Sequence, residues 1–129
     1  MTNHDICVAA IKLAGEVAPE DCPDYLTRSS AILALVYTEC AALDASYREA
    51  HGEEESGWTP CVSVDLSAAF PLSDLFSAPA TYALAALLVV DENDELSGML
   101  FARFAALMNE IRRGIPAKSV PITDRYRMF

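Results

Sequence analysis

At 129 residues the chain has room for one domain and one hydrophobic core, and at 53% apolar it carries enough side chain to build one. Nineteen Asp and Glu against nine Lys and Arg leave a formal charge of −10, which excludes a general nucleic-acid-binding surface, because phosphate contacts need clustered cations. The most apolar stretch, residues 78–90, is too short for a bilayer crossing of roughly 20 residues and runs straight into acids, so no membrane span is expected.

The start, Met1-Thr2-Asn3-His4-Asp5, lacks the basic and apolar regions of a signal peptide, so the chain is expected to remain in a cytoplasm. A first helix is expected over residues 3–17. Thr2 and Asp5 are spaced as a capping box, and Ile6, Ala10, Leu13 and Val17 recur at helical spacing until Pro19 stops the pattern. Residues 19–24, with two prolines among acids, read as a connection that opens the next helix.

The second helix is the longest, from Pro23 or Asp24 to Ala50. Leu26, Leu33, Val36, Cys40, Leu43 and Tyr47 trace its inner stripe, and Ile32 and Leu35 widen it. Ser29-Ser30 leaves open a kink or a break of this helix into two pieces, and Gly52 is a natural cap. Glu53, Glu54 and Glu55 form a charged, solvated loop rather than a calcium site, which needs spaced ligands. Trp58, Pro60, Val62, Val64 and Leu66 alternate with polar residues, which predicts a short edge strand or hairpin between the second and third helices. A loop follows to Leu75, with a further extended piece around Phe70.

Ser77-Ala78-Pro79 starts a third helix, with Ser77 as its cap. It is apolar all round from Tyr82 to Val90 and is therefore expected at the buried centre. Asp91 to Glu95 are acids and Asn93, a turn that opens the fourth helix. Its inner stripe is Leu96, Leu100, Phe104, Leu107 and Ile111, and Gly114 with Pro116 ends it. The sequence thus predicts a mainly α fold of about four helices in a compact bundle over residues 1–114. An extended C-terminal tail or arm covers residues 115–129, with its prolines favouring extended geometry.

Charge is distributed unevenly. Residues 1–99 hold three cations against seventeen acids, a net −14, whereas residues 100–129 hold six cations against two acids, a net +4. Arg112 and Arg113 complement a helix C-terminus, which accounts for two of the six. The rest suggests a basic end that meets an acidic body, within one chain or between copies. Tyr126, Met128 and Phe129 add apolar groups to the basic tail, which either folds back on its own domain or docks on a neighbour. Arg103 lies near the stripe of Leu96, Met99 and Leu107, where a guanidinium calls for a structural ion pair or, alternatively, an intersubunit contact. The candidate partner-binding residues are therefore Arg103, Arg112, Arg113, Lys118, Arg125, Tyr126 and Phe129.

No catalytic residues stand out. His4 and His51 belong to no nucleophile motif, and the five glycines are too scattered for a phosphate loop. The four cysteines (Cys7, Cys22, Cys40, Cys61) form no CxxC pair; Cys7 and Cys40 fall on apolar helix faces, where a thiol packs as a small hydrophobe. A zinc site using His4 and Cys7 matches no common spacing, so no metal and no cofactor are expected, and no enzyme.

One run of residues carries a resemblance. Phe70-Pro71-Leu72-Ser73-Asp74 is followed by the alanine-rich Ala80-Thr81-Tyr82-Ala83-Leu84-Ala85-Ala86-Leu87-Leu88. The acidic turn Asp91-Glu92-Asn93-Asp94-Glu95-Leu96 then leads into a helix with Phe101 and Phe104. This order, with Asp5-Ile6-Cys7 opening the first helix, resembles the small head–tail connector, or neck adaptor, proteins of tailed bacteriophages and prophages. The acidic loop at Glu53 has no counterpart in that pattern. The resemblance implies a structural assembly protein: a homo-oligomeric ring that meets portal and tail proteins, assembled in the bacterial cytoplasm and ending in the virion neck. It implies no cofactor and no sequence-specific nucleic acid. The alternative from another class is a cytoplasmic helical protein-binding module, such as a regulator or an antitoxin-like partner.

Overall fold

The computed structural model describes residues 1–15 and 22–116. These form four helices: α1 (Asn3–Leu13), α2 (Pro23–Ala50), α3 (Ser77–Val89) and α4 (Asp94–Gly114), with a single 3₁₀ turn, Asp74–Phe76, leading into α3. The mainly helical bundle expected from the periodicity is therefore present. Val17 and the tail from residue 117 onward, with the readings placed on them, lie outside the described residues.

Each helix end has a local cause. Thr2 and Asp5 do form the capping box: Asp5 N–H donates to Thr2 Oγ1 (3.2 Å) and Thr2 N–H to Asp5 Oδ2 (2.8 Å). At the far end of α2, Gly52 adopts φ +68°, open to glycine without strain. Glu53 N–H then reaches Arg48 O at 2.8 Å and Gly52 N–H reaches Glu49 O at 3.3 Å, the two bonds of a Schellman motif. Ser29-Ser30 breaks nothing. Ser29 Oγ bonds back to Tyr25 O, Ser30 Oγ turns outward to Val64 O, and α2 runs through 28 residues, about 42 Å. At α3 the expected Ser77 cap is replaced: Ser77 is the first helical residue, and the 3₁₀ turn before it leads the chain in without a side-chain cap. Asn93 caps α4 through Leu96 N–H (3.0 Å).

The strand or hairpin expected between α2 and α3 is absent among the described residues, where the only β pairing is an isolated bridge, Thr2 to Ala69. Residues 58–70 instead run along the helices, and their backbone groups find partners there. Leu66 O and Ala68 O accept the exposed first N–H groups of α1, from His4 (2.8 Å) and Asn3 (2.9 Å), and Val64 N–H donates to Ser30 O (3.1 Å). With those groups satisfied by helices, the alternation serves packing rather than a ladder. It also fails partway, since Pro60 and Val62 face solvent and only Val64 is buried.

Helix α3 is the centre, packing on α1, α2 and α4 in turn. Ala80, Ala83, Leu84, Ala85, Ala86, Leu88 and Val89 are all buried, as all-round apolarity requires. Its alanines keep the neighbouring helices close, and the buried Ser97 of α4 donates to Ala86 O (2.9 Å) at that contact. A second cluster stacks Trp58 and Phe70 edge-on against the buried Tyr37, with ring centroids at 5.5 and 5.3 Å. Tyr37 also donates to Asn3 Oδ1 (2.6 Å), and Asn3 Nδ2 donates on to Asp65 O (2.9 Å), so this buried polar chain is satisfied.

Both ends of α2 are fastened to α3. At its start Tyr25 Oη donates to Glu92 and Arg28 reaches Leu88 O (3.4 Å). At its end the buried Asp44 accepts Ser73 N–H on Oδ1 (3.0 Å) and Arg48 Nε on Oδ2 (2.9 Å). One correction bears on function: Leu35, expected to widen the inner stripe of α2, is 65% exposed.

Candidate functional site

Two open clefts mark the described surface. The larger, about 700 Å³, lies between the end of α2 and the start of α3 and is lined by Tyr47, Arg48, Glu53, Leu72, Ser73, Asp74 and Leu75. Its cation is already engaged, because Arg48 pairs with Asp44 and donates to Glu54 O (3.1 Å). No histidine, cysteine or lysine lines it; its titratable groups are Arg48, the Tyr47 phenol and the carboxylates of Glu53 and Asp74, beside the Ser73 hydroxyl. The smaller cleft, about 440 Å³, runs between α1 and α3 past Leu13, Ala78 and Tyr82 and is mostly apolar.

His4 lies in the first turn of α1 and His51 is the C-terminal cap of α2. His51 Nδ1 sits 2.8 Å from Tyr47 O and its ring leans on the Tyr47 ring at 4.2 Å. Among the described residues no three His, Cys, Asp or Glu side chains converge as a metal site, and no helix is long and apolar enough to cross a membrane.

The cysteines divide as their faces predict: Cys7 and Cys40 are buried, Cys22 is half-buried and Cys61 is exposed. Burial pushes the Cys40 thiol up to about 12 from an ordinary 9.0, with Glu39 and Asp44 adding to it, and burial raises Cys7 as well. Burial likewise raises the Tyr37 phenol. An unfolded chain sheds the Cys40 proton near pH 9 whereas the folded one keeps it until about pH 12, so stability is intact below 9 and falls across that window. Each pH unit there costs on the order of 1 kcal/mol from this thiol alone. Urea titrations at pH 7.5 and 10.5 are expected to show the loss, with a shallower slope in Cys40→Ala.

Helix α4 holds the remaining unusual surface. It packs chiefly on α3 and only Ser97 and Leu100 are fully buried; Leu96, Phe104, Leu107 and Ile111 are half-buried, so the expected inner stripe is real but thinly covered. At 21 residues it reaches about 31 Å, against about 20 Å for the 13 of α3, and Met108 and Ile111 in its last turns still pack against the core. Outward it presents Met99 at 65% exposure and Phe101 at 37%. Arg103, Arg112 and Arg113 are all exposed on this helix. The ion pair expected of Arg103 is not formed among the described residues; its guanidinium lies over the Tyr82 ring, 5.9 Å from the centroid, a contact that suits a planar cation. Arg112 is held by Asn109 Oδ1 at 2.9 Å. The candidate residues Lys118, Arg125, Tyr126 and Phe129 lie outside the described residues.

Sequence reasoning missed Asp44. It falls on the inner stripe of α2 between Cys40 and Tyr47, and an acid at a core position with an arginine four residues on was the available signal. Compared with protein-family models, curated proteins and solved structures, the chain matches none of them.

Proposed function

We propose that this chain is a structural assembly protein that acts by self-association, and that it serves as a head–tail connector, a ring at the portal of a tailed phage or prophage. One observation carries the reading: α4 is amphipathic, basic toward its C-terminal end and supported on one side only, while the rest of the described surface is strongly acidic. A cyclic ring needs one patch of each copy to dock on a different patch of the next, and opposed charges on separate faces suit that requirement.

The test is size-exclusion chromatography with light scattering on the full chain, alone and with a portal ring from the same genome. Assembly alone and co-elution with the portal are expected. A chain that stays at its 14.0 kDa protomer mass and ignores the portal refutes the proposal. Deleting residues 115–129 is expected to weaken assembly while leaving the helical content intact.

A further inference from the structure

We infer that the exposed flank of α4 carrying Met99, Arg103, Ala106 and Arg113 docks in parallel on the outward face of α2 on a second copy, with Arg103 reaching past the Tyr82 ring of its own α3; this rests on the self-assembly reading above. The two faces share one spacing. On α2 the exposed Leu35 is followed four residues later by Glu39 and ten after that by Glu49; on α4 the exposed Met99 is followed four residues later by Arg103 and ten after that by Arg113. Aligned in parallel, the two apolar side chains meet, each 65% exposed, and both arginines fall opposite glutamates. Between them Ala42 falls opposite Ala106, both exposed and both small enough for the backbones to approach closely.

The occupant is a second copy for two reasons. Charge complementarity runs in the same register as the apolar pair, which an arbitrary partner would not reproduce. Within one copy, α2 and α4 each pack on α3 and do not form a principal contact with each other, so the faces are not mates inside the protomer. A contact between two different faces is heterologous, the type that closes into a ring or propagates. In this register the two helices end together, with Gly114 of α4 opposite Ala50 of α2.

Charge reversal tests the pairing in the full chain. One variant carries Arg103→Glu with Arg113→Glu, and the other Glu39→Arg with Glu49→Arg; all four positions are exposed, and circular dichroism checks that the helices persist. Alone, each variant sets like charges against each other and is expected to run at protomer mass at a concentration where the unaltered chain assembles. Mixed in equal amounts, they are expected to assemble again, because the reversed α4 of one meets the reversed α2 of the other. If either variant unfolds, the milder Arg113→Gln and Glu49→Gln replace it, with at least a tenfold weaker assembly expected. Assembly of a single variant at unaltered strength, or failure of the folded mixture to assemble, overturns this pairing and leaves self-assembly standing. An unaltered chain that never assembles overturns both.

Discussion

Asp44→Ala is expected to lower the unfolding free energy by about 3 kcal/mol, read as a lower urea midpoint at unchanged slope. The carboxylate is 1% exposed and accepts two bonds that join three segments: the end of α2 through Arg48, the residue 53–54 loop through Arg48's second donor, and the approach to α3 through Ser73 N–H. Removing it leaves the Ser73 amide without that acceptor and frees Arg48 from its pair. A charge-assisted bond of this kind contributes about 1.5–3 kcal/mol, and the arginine, 20% exposed, recovers part of its loss from water. Asp44→Asn keeps the shape and one acceptor and is expected to cost about half as much. A loss below about 1 kcal/mol for the alanine variant would mean that the three segments are held by packing alone.

The second large effect separates a core leucine from an exposed one. Leu84→Ala, at 0% exposure in the helix that all others pack on, is expected to cost about 3–4 kcal/mol through lost burial and the cavity left behind. Leu35→Ala, on the outer face of α2, is expected to change stability by no more than about 0.5 kcal/mol while weakening assembly. The pair distinguishes a residue that serves folding from one that serves an interface. Equal costs for both would place Leu35 in the core and remove the apolar half of the proposed contact.

Much of this fold is legible in the sequence because the helices carry their own signals. The capping box at Thr2, the glycine after α2 and the all-round apolarity of α3 are local features, and local features survive into the structure. What fails is whatever depends on which surfaces meet. The alternation from Trp58 to Leu66 has the period of a strand, but a strand needs a partner, and the chain instead spends those backbone groups on α1 and Ser30. Leu35 matches the inner stripe by type and nearly by spacing, yet α2 is covered on one side only. Hydrophobic identity alone does not say which side of a helix will find a neighbour. Asp44 fails in the opposite direction: a charged residue reads as surface until its partners, 4 and 29 residues away, are known. On the functional side, the uneven charge is visible in the chain from the start. Its placement at exposed positions of α4, Arg103, Arg112 and Arg113, emerges only with the fold.

The central claim is self-association through unlike faces, and the solution mass of the full chain tests it most directly. Light scattering is measured across a concentration series at low and at high salt. The account predicts an average mass that rises with concentration toward a discrete multiple of 14.0 kDa and falls as salt screens the facing charges. A constant protomer mass over the whole series at low salt would contradict it.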